Sequence, residues 1–416
     1  MHQEHQSERE AWQVVATLEE AGHEAYLVGG CVRDKLLQRG LYDYDITTSA
    51  LPEEVLAIFR RTVPTGIKHG TVTVLMERDQ YEVTTFRTDG EYKDGRRPEE
   101  VVFVRSLRED LARRDFTINA MALGRDGRLH DPFGGQEDLQ RRVIRAVGDP
   151  VQRFEEDALR MLRAVRFAAQ LRFTIEERTL RAIQYEAASL QRIARERIRD
   201  EWHKMLLSSP DVALQLLRQT DTLRYILSRP PTFDLPVHDP WGYGRDPWEL
   251  AGEWMGRAPE DLAVRYCVLF IAIQTDEARL ERTLQELKLP TQMKQDIKAC
   301  HRLATQDDKP RGWSDLEWRH LFYQYGYDTV ARVCQLHCSI YEPGQKGEWD
   351  TTLAVRKAQQ PLWSLQDLAV TGQDLMANGV PAGPEVGKVL KRLAHQVLHE
   401  PELNQKERLL RIVREF

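Results

Sequence analysis

Residues 27–49 read "LVGGCVRDKLLQRGLYDYDITTS", and the fold is decided by how the two glycines and the two aspartates of this stretch are spaced. The apolar run "AYLVGG" (25–30) ends on Gly29 and Gly30 and gives way to the helical pattern "CVRDKLL". Small residues at a strand-to-helix junction let anionic oxygens reach backbone N–H groups. Arg33, one turn in, adds a positive charge there. At the far end "YDYDI" has strand character. Strand side chains alternate faces, so Asp43 and Asp45 are expected on one side, about 7 Å apart, with Tyr44 opposite.

Two carboxylates so placed suit oxygen-loving divalent cations such as Mg²⁺. A pair of such ions lowers the pKa of an attacking hydroxyl and steadies a leaving pyrophosphate. A third carboxylate would help, and Glu82 in "QYEVTTF" (80–86) is the candidate, on a neighbouring strand. Alone, a DxD pair also occurs in glycosyltransferases and on solvated edges, and a glycine pair is commonly a plain turn. Neither a GxGxxG nor a Walker pattern is present. The specificity lies in the ordered combination of strand, glycine pair, helix and paired aspartates.

Outward from this stretch, "GTVTVLM" (70–76) and "QYEVTTF" read as strands joined by the turn "MERD", hence antiparallel neighbours. Helices are signalled over 11–21 and 52–59, the second with Ser49 available as a cap and Pro52 followed by two glutamates in its first turn. "DGRLHDPFGG" (126–135) reads as a turn, a brief strand and a loop. Beyond about residue 141 helical periodicity takes over in "EEDALRMLRAVRFAAQL", "IARERIRDEWHKMLL", "DLAVRYCVLFIAIQ" and "GKVLKRLAHQVL". A Pro-rich break at 228–248 reads as a long loop. The expected plan is an α/β head with a small mixed, largely antiparallel sheet, followed by an all-α remainder.

The chain has 416 residues, 41% apolar and 30% charged, with a formal net charge of −6. That charge argues against non-specific coating of nucleic acid but permits a grip along a local groove. No window is apolar enough for a membrane span, and the polar "MHQEHQSERE" lacks the apolar core of a signal peptide. Five scattered cysteines suggest reduced thiols and a cytoplasmic protein. Cys334 and Cys338, with His337 between, match no zinc spacing and read as core positions of an apolar helix. His395 and His399 lack the glutamate of a HExxH motif.

These residues resemble the signature of the nucleotidyltransferase superfamily, in its class II tRNA nucleotidyltransferase branch (bacterial CCA-adding enzymes and poly(A) polymerases). Further stretches are similar to that family's later motifs, in order: "RRDFTINAMA" (113–122), "DPFGGQEDL" (131–139), "EEDALRMLRAVRFAAQL" (155–171) and "ERIRDEWHKML" (196–206). Weaker similarity continues through 370–390. The resemblance implies metal ligation by Asp43 and Asp45, nucleotide contacts from Gly29, Gly30, Arg33 and Arg114, and base recognition by Glu156, Asp157 and Arg160, extended by Arg163 and Arg166. It implies CTP and ATP as substrates, tRNA as the RNA partner through its 3′ end and elbow, a two-Mg²⁺ site, and no obligatory protein partner. It also implies a nucleotidyltransferase head (1–140), a helical neck carrying base recognition (141–206), a helical body (207–305) and a tRNA-binding tail (306–416).

The base-reading segment also has a physical rationale. Read as one helix, it places Asp157 and Arg160 at i,i+3 on one face. A carboxylate accepts from an exocyclic amine and a guanidinium donates to a ring acceptor. Cytosine and adenine share that amine-beside-acceptor edge, whereas guanine and uracil reverse it. One pair could accept C and A without a template. The plain alternative is an i,i+3 salt bridge on a solvated face, and Arg163 and Arg166, winding around the helix, suit phosphate contact or packing. In the family, the loop corresponding to 87–100 helps switch from C to A addition and is short in relatives that add only CC; here it is full length. The fifth motif departs from the family at Ala194 and Arg195, where relatives more often carry Ser; this touches local capping. In the tail, glycines before the helix of "NGVPAGPEVGKVL" (378–390), with Lys388, Lys391 and Arg392 close by, suit contacts to RNA phosphate. The expected activity is template-independent addition or repair of the 3′-terminal CCA. Alternatives are an A-adding enzyme acting on tRNA ending in CC, a poly(A) polymerase (though these usually carry basic extensions), and a non-catalytic RNA-binding relative.

Overall fold

The computed structural model describes residues 2–40, 43–89, 101–227, 245–305 and 310–414, so most of the 87–100 loop and of the Pro-rich break lies outside the described residues. The chain forms two compact units, residues 1–232 and 233–416.

The first unit opens with helix α1 (His2–Glu20), which starts well before the periodic segment at 11–21. A seven-stranded sheet follows: β1 (Ala25–Val28), β2 (Asp45–Thr48), β3 (Thr62–Gly66), β4 (Thr71–Leu75), β5 (Gln80–Thr85), β8 (Ala122–Leu123) and β9 (Leu129–His130), in the order β3-β4-β5-β2-β1-β8-β9. A separate hairpin-like pair, β6 (Arg87–Asp89) and β7 (Val101–Phe103), flanks it. Within the seven-stranded sheet, β2–β5 is the one parallel pairing among the described residues, so this sheet is mixed and mostly antiparallel, as expected. "MERD" closes the β4–β5 hairpin, with Met76 N–H donating to Asp79 O at 2.9 Å. β3 carried no clear sequence signal because Pro64 interrupts it; it lies at the sheet edge, where a missing N–H is tolerated.

Helices α2 (Gly30–Leu36) and α3 (Pro52–Ile58) follow β1 and β2. Ser49 does not cap α3: its hydroxyl accepts the Glu24 N–H at 2.9 Å, and Leu51 takes the cap position, its own N–H donating to Glu54. Then come α4 (Leu107–Ala112) and α5 (Gly135–Arg141). Val28, Leu111 and Ala122 make a buried cluster under the β1 end, with Phe133 of "DPFGG" packed against it.

The helical part of this unit holds α6 (Pro150–Glu156), α7 (Leu159–Leu171), α8 (Glu177–Glu186), α9 (Arg195–Leu207), α10 (Pro210–Gln219) and α11 (Leu223–Ile226). A short parallel pair, β10 (Val143–Ile144) with β11 (Thr174–Ile175), is its only strand pairing among the described residues. Phe154, Met161, Leu162, Val165 and Trp202 are fully buried here.

The second unit is helical: α12 (Pro247–Arg257), α13 (Leu262–Ala272), α14 (Glu277–Glu286), α15 (Thr291–Ala304), α16 (Asp315–Tyr341), α17 (Lys346–Ala358), α18 (Gly372–Ala377), α19 (Pro384–His399) and α20 (Lys406–Val413). Helix α16 is kinked at Gly326, whose φ of 77° is left-handed backbone that glycine tolerates. Leu375, Leu393, Val397, Leu398 and Leu409 build a core for its last helices. Cys334, His337 and Cys338 are buried, as their helical spacing implied, and all five cysteines are free and buried. Among the described residues no helix is long and apolar enough to cross a membrane.

Candidate active site

Strand register assembles the head's charged wall. Val28, the last residue of β1, pairs with Asp45, and Asp45 pairs with Glu82 across the parallel β2–β5 contact. Glu82 is therefore the direct strand neighbour of Asp45. The strand begins at Asp45 rather than at Asp43, because β1 ends at Val28 and offers no partner beyond it. Just before it, Tyr44 is buried and Asp43 exposed, while Asp45 is half-buried. Burial above all, then the nearby charge of Asp43, with a smaller push from Glu82, raises the Asp45 carboxyl to about 6; Arg114 pulls the other way.

Gly29 follows directly and has φ of 80°. A Cβ there would sit 3.0 Å from Arg114 Nη1 and 3.8 Å from Asp45 Oδ2, so a side chain is excluded both by strain and by the guanidinium. Above Gly30 lies Arg33, whose Nη2 would stand 3.6 Å from a Cβ at that position. Arg33 is fixed by a fork onto Asp34 (2.9 and 2.8 Å) and by donation to Asn119 Oδ1 at 2.8 Å. Arg114 contacts buried Asp110 at 3.4 Å, while its Nε is buried with no hydrogen-bond partner. Asp110 also accepts from Arg113 (3.0 and 2.9 Å) and from Thr47 Oγ1 at 3.2 Å.

The neck differs from the sequence expectation. The run 155–171 is not one helix: α6 ends at Glu156, Asp157 has extended backbone (φ −145°, ψ 101°), and α7 begins at Leu159. Asp157 and Arg160 thus do not share a helix face by i,i+3 geometry. The Asp157 carboxylate holds the break: it accepts the Leu159 N–H at 3.1 Å and is forked by Arg197 of α9 at 3.2 and 2.7 Å. Arg160 pairs with Glu156 and donates to the carbonyls of Arg153 (3.1 Å) and Arg113 (3.2 Å), joining neck to head.

Arg163 and Arg166 are packed into the fold. Arg163 holds Asp115 at 2.7 Å, and Asp115 also accepts from Asn119 Nδ2 at 3.1 Å. Burial pushes the Asp115 carboxyl up, but Arg163, with help from Asn119 and Arg160, outweighs it and brings it down to about 2. Arg166 is buried and pairs with buried Glu201 at 2.5 Å and with Gln170 at 2.9 Å. The Phe167 ring gathers three cations: Arg166 at 4.0 Å, Arg33 at 5.0 Å and Arg163 at 5.3 Å from its centroid. This ring and Asn119 link the glycine-pair wall to the neck. Sequence reasoning missed Asp110, Asp115, Asn119, Arg197 and Glu201 as positioning groups; Asp115 and Asn119 lay inside the quoted "RRDFTINAMA".

A divalent cation fits the head wall. Asp43, Asp45 and Glu82 offer hard oxygen donors, and Asp45 carries negative charge that Arg114 alone does not offset.

Three stretches of the chain match family models: the poly A polymerase head domain over residues 25–145, a probable RNA and SrmB-binding site of polymerase A over 172–234, and the putative second domain of tRNA nucleotidyltransferase over 259–413. The CCA-adding enzyme of Limosilactobacillus fermentum is 41% identical over 412 residues, covering 97% of this chain and 96% of its own. That of Geobacillus stearothermophilus is 39% identical over 407 residues, covering 96% and 95%. The crystal structure of the Bacillus stearothermophilus CCA-adding enzyme in complex with CTP superposes with a TM-score of 0.82 at 36% identity, over 98% of this chain and 96% of the other. With identity of about 40% spread over nearly the whole length and three family models matched in order, the chain belongs to the CCA-adding enzyme family of tRNA nucleotidyltransferases.

Proposed function

We propose that this protein builds and repairs the 3′-terminal CCA of tRNA from CTP and ATP without a nucleic-acid template. The observation that supports the site assignment is the register Val28–Asp45–Glu82, with Asp45 Oδ2 and Arg114 Nη1 closing on Gly29. Asp43 and Asp45, with Glu82 as the third carboxylate, would hold Mg²⁺. Bound there, Mg²⁺ supplies charge neutralisation and activation of the RNA terminal hydroxyl. That hydroxyl attacks the α-phosphate in line, a new phosphodiester forms, and pyrophosphate leaves.

The chain's own groups then divide the remaining work. Arg114, with a buried Nε free of protein partners, and Arg33 face the glycine pair and hold the triphosphate and sugar. Gly29 and Gly30 keep that approach open because neither carries a side chain. Asp157 has about four lone-pair sites, of which Leu159 and Arg197 occupy three, leaving Oδ2 one for the exocyclic amine of C or A. Arg160, anchored by the backbone carbonyls of Arg113 and Arg153, donates to the adjacent ring acceptor. Arg163 and Arg166 act as positioning residues that hold Asp115, Glu201 and Phe167 in place. The segment before α19, with Lys388, Lys391 and Arg392, faces RNA phosphate near the tRNA elbow. The buried, unpaired cysteines support a reducing, cytoplasmic setting.

The test supplies tRNA ending at the discriminator base, at C or at CC, with CTP, ATP or both, and sequences the ends. Completion to CCA on all three supports the reading. Addition of A alone to the CC substrate replaces it with an A-adding enzyme, and no incorporation at all points to an RNA-binding relative.

A further inference from the structure

His395 and His399 lie one turn apart on α19, and the fold brings His320 of α16 against them. Ring centroids are 4.7 Å apart for His395–His399, 5.0 Å for His320–His395 and 5.5 Å for His320–His399. One ring nitrogen from each residue lies within 4.8 Å of the others. We propose that these three imidazoles form a binding site for a divalent transition metal of the zinc class, clasping the last turns of α19 to the first half of α16.

The donor set selects the metal. Three imidazoles suit Zn²⁺ and its borderline-soft neighbours, whereas Mg²⁺ and Ca²⁺ prefer oxygen. A tetrahedral centre with Zn–N bonds of about 2.0–2.1 Å needs nitrogens about 3.3 Å apart, within reach of modest side-chain rotation from the present spacing. His395 and His399 are exposed and His320 half-buried, so the ion can enter from solvent and keep water as its fourth ligand.

The scaffold around the cluster is already fixed. Leu393, Ala394, Val397 and Leu398, which flank the two α19 histidines, are buried in the core of the last helices. Arg319, the residue before His320, donates to the carbonyls of Leu398 (3.2 Å) and His399 (3.4 Å), so α16 is tied to the end of α19 at the cluster itself. Burial and the two neighbouring imidazoles hold His320 below its usual range, which favours the neutral, ligating form. The site is separate from the carboxylate wall in residues and in donor chemistry.

The test uses the full-length protein. Zn²⁺ is titrated against a competing chromophoric chelator in excess Mg²⁺, with thermal unfolding followed in parallel and Co²⁺ absorption reporting coordination. The expected result is one Zn²⁺ per chain that millimolar-range Mg²⁺ does not displace, an intense tetrahedral Co²⁺ spectrum, and a Zn²⁺-dependent rise in the unfolding temperature. His320→Ala, and separately the surface changes His395→Gln and His399→Gln, should each weaken binding by about tenfold or more and reduce the thermal shift at a given Zn²⁺ concentration. His23→Ala, in the first unit, should leave both unchanged. Failure to hold Zn²⁺ against the chelator overturns the proposal, as does Zn²⁺ binding of equal strength in His395→Gln and His399→Gln, which fold because both positions are exposed.

Discussion

At the sheet end of the head, Asp45 stands beside Asp43 and Glu82 with Arg114 opposing them, and its carboxyl lies at about 6. On the neck-facing side, Asp115 is buried more deeply yet lies at about 2, because Arg163, Asn119 and Arg160 close around it. The same residue type is left unbalanced in one wall and neutralised in the other. The neck is a lattice of pairs, Asp157–Arg197, Arg160–Glu156, Arg163–Asp115 and Arg166–Glu201, in which Asp157 Oδ2 keeps one acceptor site for the base. The head wall has a surplus of negative charge and a buried Arg114 Nε without a partner. Unbalanced charge of this kind marks the place where ligand completes the structure; balanced charge marks the frame that aims it. Lesions in the two walls should therefore differ in kind.

The largest effect is expected in the head. Asp45→Asn should cut nucleotide transfer by more than about a thousandfold, read by single-turnover incorporation. It should also stabilise the metal-free protein, by on the order of 1–2 kcal/mol near neutral pH, since a tenfold change in proton affinity is worth about 1.4 kcal/mol and part of the site is wet. A folded-state value of about 6 against an ordinary 3.8 means the fold disfavours the ionised form. That cost builds as pH rises from about 4 to 6 and is constant above, so the gain from Asp45→Asn should vanish in acid, as chemical denaturation across pH will show. An activity loss accompanied by destabilisation would break the contrast.

In the neck the sign reverses. Arg166→Met leaves buried Glu201 with only the longer 3.4 Å contact from the half-exposed Lys204 and should cost about 3 kcal/mol of stability, whereas Arg166→Met with Glu201→Leu should recover most of it. Urea midpoints of the two variants decide this.

How much of this contrast could be read in the sequence depends on whether neighbours in space were neighbours in the chain. The carboxylate wall was legible, because strand alternation and the glycine pair act within one stretch of residues 27–49, and the adjacent strand supplied Glu82. The break at Asp157 was not. "EEDALRMLRAVRF" has unbroken helical periodicity, and the break arises from Arg197, 40 positions away, gripping the Asp157 carboxylate. β3 was hidden by Pro64, which matters less at a sheet edge than the sequence suggests. The histidine cluster was half visible: the i,i+4 pair on α19 can be read from spacing, but His320 joins it only through packing of α16.

A subtler test of the neck lattice is Arg197→Ala. Freed from its fork, Asp157 should hold the base edge less firmly, raising misincorporation of U or G by about tenfold while binding of the triphosphate changes little. Competition assays with mixed nucleotides measure this ratio. Smallest of all is the helix cap at the family's point of departure. Ala194 caps α9 with no side-chain hydrogen bond, so Ala194→Ser should add about 0.5–1 kcal/mol without altering transfer.

The contrast between an unbalanced head wall and a charge-paired neck is tested most directly by Mn²⁺ binding, followed by electron paramagnetic resonance in the absence of nucleotide. Wild-type protein and Arg166→Met with Glu201→Leu should bind Mn²⁺ alike, while Asp45→Asn should lose the high-affinity ion with its fold intact. Undiminished Mn²⁺ binding by Asp45→Asn would contradict the account.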